Sequence, residues 1–323
     1  MAQQQGSNVK LIYDTEDTFK TNPAVVDAMY LPFVSESLRL NRNLISSNTI
    51  RSDRNPQQPV RGNTEISGDI PFELSPQHGR LFQHIYGHYG YAATGEMSTH
   101  TFKVGSLPNG LVIEKQFLDL ASPKYFQYNG CRVNSFTMSC KSEGMIECSV
   151  NIMGAKETEA VNTMDSTPTD LGFTPFDAFE AALTKDGSAL AGVTEFEFTL
   201  ENNLDGSNYV IDGTGERDSL PAGSAKVTGT LRAIFDSTTL YDLAIANTEI
   251  ALTICFTKGN GDGSSGNEKM TFSFDEVILK PQAPVVTGPA GVLVELPFEA
   301  YYSDAAAATA ARMVLLSPTT SYE

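Results

Sequence analysis

The plainest pattern in the chain lies between residues 64 and 74. Ile66, Gly68, Ile70, Phe72 and Leu74 share one parity, and Glu65, Ser67, Asp69, Pro71 and Glu73 share the other. Side chains alternate across a strand, so this segment predicts a strand with one apolar face and one acidic face. The alternation returns at residues 132–153, read as two strands around Ser142-Glu143-Gly144. There Ile146, Cys148, Val150 and Ile152 oppose Glu147, Ser149 and Asn151. It returns again at 194–200 with Glu195 and Glu197 outward, at 225–235, 249–257 and 270–279, and at 291–301 with Glu295 and Glu299 outward. Residues 101–117 read as two strands around Leu107-Pro108-Asn109-Gly110. Short helical segments are expected at 24–29, 81–86 and 239–246. Another is expected at PFDAFEAALTKDG, with Pro175 near its start and Gly187 as its stop. The Ala run after Ser303 favours a helical turn, with a closing strand at 314–316. Short strands with turns between them predict a mainly β sandwich or barrel with a few short helices.

The chain also repeats itself. FTLENNLDGS at 198–207 lies over LRLNRNLISS at 38–47, matching at Leu40/Leu200, Asn43/Asn203, Leu44/Leu204 and Ser47/Ser207. The segment from Arg54 is echoed by the segment from Arg217, and Gly68 by Gly229, each glycine being followed by a strand and then a helical segment. Matches in one order at nearly one offset predict a duplication. Residues 156–175, rich in Thr, Asp, Pro and Glu, mark the boundary, giving two tandem β domains, 1–163 and 164–323. GNGDGSSGNE at 259–268 reads as a flexible exposed hairpin tip or unpaired arm.

Composition narrows the function. The 323 residues carry 22 Lys and Arg against 39 Asp and Glu, a formal charge of −17, which disfavours wrapping nucleic acid. A hydrophobic share of 41% is enough for real cores. The N-terminal stretch has no basic and apolar run of a signal peptide, and no apolar stretch reaches membrane-spanning length, so assembly in a cytoplasm is expected. Cys131, Cys140, Cys148 and Cys255 have no CxxC spacing and are expected as free thiols.

Chemical motifs are weak. His84 and His88 are four apart with His78 near, but a third metal ligand is missing and Gly87 breaks the helix. Asp14, Glu16 and Asp17, and Asp262 in its loop, lack an EF-hand spacing. There is no GxSxG elbow, phosphate loop or dinucleotide fingerprint. Glu195 and Glu197 could act on sugars only across a cleft, and the chain has no Trp to form a sugar platform. No enzyme, metal or cofactor is expected. A strand with an acidic face is ordinary by itself; its recurrence in both halves argues for a shared polar surface.

DTEDTFKTNP, then LPFVSESLRLNRNLISSNTIRSDRNPQQPVRGNTEISGDIPFELSP, and FEFTLENNLDGSNYVIDGTGERDSLPAGSAKVTGTLRAIFD later, resemble the tail tube (major tail) proteins of long-tailed, non-contractile bacteriophages, over residues 9–316. The resemblance implies a virion structural protein, made in the host cytoplasm, whose β-sandwich domains close into rings that stack into a hollow tube for DNA ejection. It implies tape-measure, tail-terminator and tail-tip partners, passage of double-stranded DNA without specific binding, and no membrane. On it, Glu65, Ser67, Asp69, Glu147, Ser149, Asn151, Glu295 and Glu299 are expected at the lumen. Gly259, Asn260, Asp262 and Asn267 are expected in a loop that reaches the adjacent ring. Two ring-forming domains per chain predict a trimeric ring of pseudo-sixfold symmetry, with a hexamer as the alternative. A decoration or receptor-binding β-sandwich of the virion is the competing function.

Overall fold

The alternating segments form strands, and the strands pair in an order that repeats. The computed structural model describes residues 3–50, 52–94, 97–286, 288, 291–304 and 307–322. The first half comprises β1 (Val9–Thr15), β2 (Met29–Tyr30), β3 (Arg39–Ile45), β4 (Val60–Glu73), α1 (Gly79–Tyr86), β5 (Gly87–Thr94), β6 (Met97–Val104), β7 (Leu111–Phe117), β8 (Lys124–Lys141), β9 (Glu147–Gly154) and β10 (Lys156–Ala160). The second comprises β11 (Ala181–Lys185), β12 (Ser188–Ala189), β13 (Val193–Glu201), β14 (Lys226–Ile234), α2 (Thr239–Ile245), β15 (Glu249–Thr257), β16 (Lys269–Leu279), β17 (Leu293–Ala300) and β18 (Arg312–Ser317).

In the first half β2, β1, β7 and β8 pair in that order. β8 continues into β9, β4 and β3, and β10 adds to β8 beside β9. In the second half β12, β11, β15 and β16 pair in that order. β16 continues into β17, β14 and β13, and β18 adds to β16 beside β17. The registers agree as well. Leu40 faces Ile66 where Leu200 faces Val227, and Ile66 faces Gly154 where Val227 faces Ala300. Gly68 and Gly229 hold equivalent places for the same reason. A Cβ at Gly68 would lie 2.3 Å from the Leu38 nitrogen, and one at Gly229 would lie 2.3 Å from the Glu197 carbonyl oxygen. The β5–β6 hairpin is the one added element, present after α1 and absent after α2.

Two ladders tie the halves together. β13 pairs antiparallel with the C-terminal part of β8, and β18 pairs with β6. One seven-strand sheet therefore runs β3-β4-β9-β8-β13-β14-β17, and facing strands run β12-β11-β15-β16-β18-β6-β5. The apolar parities of both layers meet in a continuous core. Phe82 of α1 lies edge-on to Phe136 at 5.6 Å and to Phe272 at 6.0 Å, and Phe198 meets Phe136 at 5.7 Å and Phe274 at 4.9 Å. Such aromatic pairs add to the area they bury.

Three expectations change. Residues 175–187 are not a helix. Asp177 caps a single 3-10 turn, Ala178–Glu180, accepting from the Phe179 and Glu180 N–H groups, and Ala181–Lys185 then joins β15 as a strand. An open sheet edge outweighs helix propensity there. Residues 24–29 contain no helix and lead into β2. The Ala run after Ser303 forms no helix where it is described; Ala305 and Ala306 lie outside the described residues. The segment expected as the domain boundary begins with β10, and its remainder is pinned to the first half. The buried Glu114 carboxylate accepts from the Thr163 hydroxyl and the Met164 N–H, and Thr169 bonds to Ala28 and Tyr30.

Candidate functional site

The eight polar residues picked out by parity come together. Glu65, Ser67 and Asp69 of β4 stand beside β9, where Asp69 faces Asn151 and Ser67 faces Met153. Across β9, Asn151 faces Ser135, Ser149 faces Thr137 and Glu147 faces Ser139 on β8. Across the junction, Thr137 faces Thr199, Ser139 faces Glu197 and Lys141 faces Glu195. β14 then presents Thr228, Thr230 and Arg232, opposite Glu299, Pro297 and Glu295 of β17. Directly paired residues point to the same side of a sheet, so all of these share the face opposite the core.

The face has a definite chemistry. A row of hydroxyls crosses its middle, with Thr137 and Thr199 hydrogen-bonded at 2.9 Å across the junction and the Asn151 amide donating to Asp69 at 2.7 Å. Nine carboxylates lie on its seven strands, at positions 65, 69, 73, 147, 195, 197, 201, 295 and 299, against four cations of the same strands at 39, 141, 226 and 232, and Lys280, just past β16, reaches Glu299 at 3.3 Å. Arg232 bridges Glu195 at 2.7 Å and Glu295 at 2.8 Å, and Lys141 meets Glu147 at 3.1 Å. The surplus is negative. Glu195 and Glu197 are neighbours on this open sheet and do not oppose one another across a cleft. The serines and threonines at 135, 137, 139, 199, 228 and 230 escaped the sequence reading, because small polar residues facing water carry no signal until the strand order is known.

Of the two forms expected for the loop at 259–268, it takes the hairpin tip and not the unpaired arm. It folds on itself between β15 and β16. The Asn260 N–H donates to the Asn267 side chain, Asp262 accepts from the Ser264 N–H and hydroxyl, and the Gly263 N–H reaches the Asn267 carbonyl. Gly259, Gly261, Gly263 and Gly266 take positive φ, which only glycine adopts freely.

Other titratable groups serve the fold. The His84 ring meets the Thr15 hydroxyl at 2.9 Å, His88 belongs to β5, and His78 is buried 4.7 Å from the Phe72 ring. Burial pulls His78 and His84 down to about 3. Asp14 accepts from the Thr15 and Asp27 N–H groups and meets Arg80 at 3.5 Å. Glu16 accepts from the N–H groups of Lys20 and Gly130 and from the Asn129 amide, and burial pushes it up to about 7. Cys131, Cys140 and Cys148 are buried free thiols, and Cys255 is half-buried. Among the described residues no helix is long and apolar enough to cross a membrane.

A family model described as phage tail tube protein matches residues 6–300. No curated protein matches the sequence. With that match over nearly its whole length, on a mainly β sandwich built around one polar sheet face, the chain belongs to the phage tail tube protein family, structural proteins of the virion tail that assemble into the tube with other tail proteins.

Proposed function

We propose that three chains close one ring of the tube, with the two repeats of each chain in six quasi-equivalent places and the polar sheet face turned to the lumen. The observation that carries this reading is the β8–β13 junction. It sets the two repeats side by side in one sheet, in the same order and register, so that both contribute to a single face. Six such units in a circle extend that sheet, and closure removes its edges. A heterologous contact that closes laterally gives a ring, and stacking, which does not close, gives a filament.

The face suits passage of DNA. Its surplus of carboxylates repels phosphates, and its cations are few, with Lys141 and Arg232 already engaged with carboxylates. DNA then slides through without binding, and the protein acts as a conduit with no catalytic step. The hairpin loop carrying Gly259, Asn260, Asp262 and Asn267 meets the adjacent ring, and the tube's ends meet the terminator and tip proteins, with the tape measure inside before ejection. Electron microscopy of assembled protein, with axial class averages and mass per ring, tests the reading. Three chains per ring with six lobes around a lumen are expected. Six full chains per ring would overturn the symmetry, and protein that never forms hollow filaments at any concentration would overturn the tube.

A further inference from the structure

Inside the chain, beside the β18–β6 ladder, the second repeat holds the first in two further ways. Its β13 edge pairs with β8, and its β13–β14 loop folds back over β4 and β9. Arg217 is the centre of that clasp. Its guanidinium is buried, donating from Nη1 to the Ile66 carbonyl at 3.0 Å and the Gly154 carbonyl at 2.8 Å, and from Nε to the Gly206 carbonyl at 3.0 Å. Around it the Thr64 N–H bonds to Gly215, the Tyr209 hydroxyl to Thr64, and Lys20 to Glu216 at 3.2 Å.

The equivalent loop of the first repeat makes no such clasp on a sheet of its own chain among the described residues. It leaves β3 and enters β4 in the same register, since Leu44 faces Arg61 where Leu204 faces Ala222. Residues 46–59 correspond to 206–220. Counted from the flanking pairs, the place of Arg217 falls at Pro56 or Gln57; the arginine nearest to it is Arg54, which is exposed, and Ile50 in the same loop is 96% exposed. Among the described strands β3 pairs with β4 alone, whereas β13, its counterpart, pairs on both edges. Leu44 and Ile45 are accordingly left exposed on β3.

Resting on the ring proposed above, we infer that the contact between chains copies the contact between repeats: the arm at 46–59 clasps the second repeat of the next chain, with Arg54 at the carbonyls of Val227 and Ala300, and the free edge of β3 lies beside residues 280–286. Val227 faces Ala300 as Ile66 faces Gly154, so these carbonyls are the counterparts of the two that Arg217 caps. Residues 280–286 are the counterpart of the part of β8 that pairs with β13. Leu279 faces Phe298 as Val133 faces Ile152, and the Lys280 N–H continues to the Pro297 carbonyl. Val285 and Val286 there are exposed.

Charge supports the same docking. Arg39, Arg42, Arg51, Arg54 and Arg61 fall within one short stretch whose sole acid is Asp53, in a chain of formal charge −17. The receiving corner is acidic. The Tyr301 N–H bonds to the Glu276 carbonyl directly after Ala300, the Glu276 carboxylate accepts from the Ser303 hydroxyl, and Glu249 accepts from the Tyr301 hydroxyl. Among the described residues neither carboxylate pairs with a cation. Pro281 and Pro284 remove two N–H donors from the segment placed beside β3, so this seam relies more on the arm and on apolar contact than the internal one does.

The test compares three full-length proteins by sedimentation velocity and electron microscopy over a concentration series: wild type, Arg54→Glu, and Arg54→Glu with Glu249→Lys and Glu276→Lys. Arg54→Glu is expected to melt as wild type does and to need at least tenfold more protein to assemble, while the triple variant recovers at least part of that loss. Wild-type tubes with Arg54→Glu assembling at the same concentration would overturn the inference and leave the tube standing. Wild type that assembles nowhere in the series would overturn both.

Discussion

If the polar face lines the lumen, changing Glu65, Asp69 and Glu147 together to lysine turns a repelling wall into a holding one. The structure sets the size of the change. The face carries nine carboxylates and four cations per chain; the variant carries six and seven, so its surplus changes sign. The cost to the fold is small. Asp69 loses the Asn151 amide and Glu147 loses Lys141, both on exposed side chains, and such surface pairs are worth about 0–1 kcal/mol each. Tubes should still form. A duplex inside would now meet lysines from every chain of every ring, and each phosphate neutralised adds about −0.9 to the slope of log binding against log salt. Even three such contacts make retention about fortyfold stronger at 50 mM than at 200 mM salt. The assay is DNA ejection from particles assembled with the variant tube, followed with an intercalating dye at both salts. Slow ejection at low salt that recovers at high salt is expected, beside a wild type that barely responds. Variant ejection at the wild-type rate at both salts would remove these residues from the lumen and refute the orientation of the sheet.

Other consequences are local. Arg217→Ala leaves three carbonyls without their donor and frees the clasp, which should cost about 2–4 kcal/mol and lower the melting temperature by about 3–6 °C in calorimetry, whereas Arg54→Ala should leave the isolated chain's melting unchanged. Gly229→Ala drives a methyl into the Glu197 carbonyl and the Phe298 ring and should cost about 1–3 kcal/mol or more, read as a loss of urea midpoint. His78 and His84 stay neutral in the fold down to about 3, while the unfolded chain takes up those protons near 6.5, so their contribution is present above 6.5 and lost as pH falls towards 3; His78→Phe should flatten the fall of melting temperature over that range. Glu16 runs the other way. Its proton is held to about 7 in the fold but only to about 4.5 when unfolded, so its contribution is full below 4.5 and lost as pH rises through 7, and Glu16→Gln should remove that part of the pH slope.

Strands were legible wherever one face met the core and the other met water. The expected segments at 249–257 and 270–279 correspond to β15 and β16 within a residue, and the expected helices at 81–86 and 239–246 to α1 and α2. The repeat was legible for a related reason. Leu40/Leu200 and Gly68/Gly229 are positions where the pairing itself repeats, so the spacing of the matches followed the ladder. What failed was non-local. β11 is written in good helix formers and becomes a strand only because β15 offers an edge. β5 is written with Gly87 and Gly90, which read as a helix ending and not as a strand beginning. Composition left the loop at 259–268 open between a hairpin tip and an unpaired arm; Asp262 and Asn267 bond it closed as the tip, and composition does not count bonds. The acidic residues of the polar face were visible strand by strand. That β8 lies beside β13, which turns separate faces into one, depends on a pairing between residues some 60 apart.

The two repeats are alike in order and unlike in edge, and the difference bears on how such a ring is built. In the first repeat the β5–β6 hairpin follows α1 and reaches over to pair with β18 of the second, so the internal junction has two ladders and the Arg217 clasp. The second repeat has no such hairpin to offer, and β10, the counterpart of β18, pairs with β8 alone among the described strands. In the ring of three proposed above, two kinds of seam would alternate. The internal seam forms when the chain folds, because its ladders belong to one polypeptide and cost no association entropy. The seam inferred between chains would have a proline-interrupted segment, no hairpin and the arm with Arg54, and so would depend on concentration and on salt. A subunit of a long polymer needs this inequality. If both seams were as strong as the internal one, the unpaired β3 edge would recruit neighbours wherever chains met. A weaker outer seam lets the folded chain wait, and leaves closure to the point where three arms engage at once and the loss of the last free edges makes the ring cooperative.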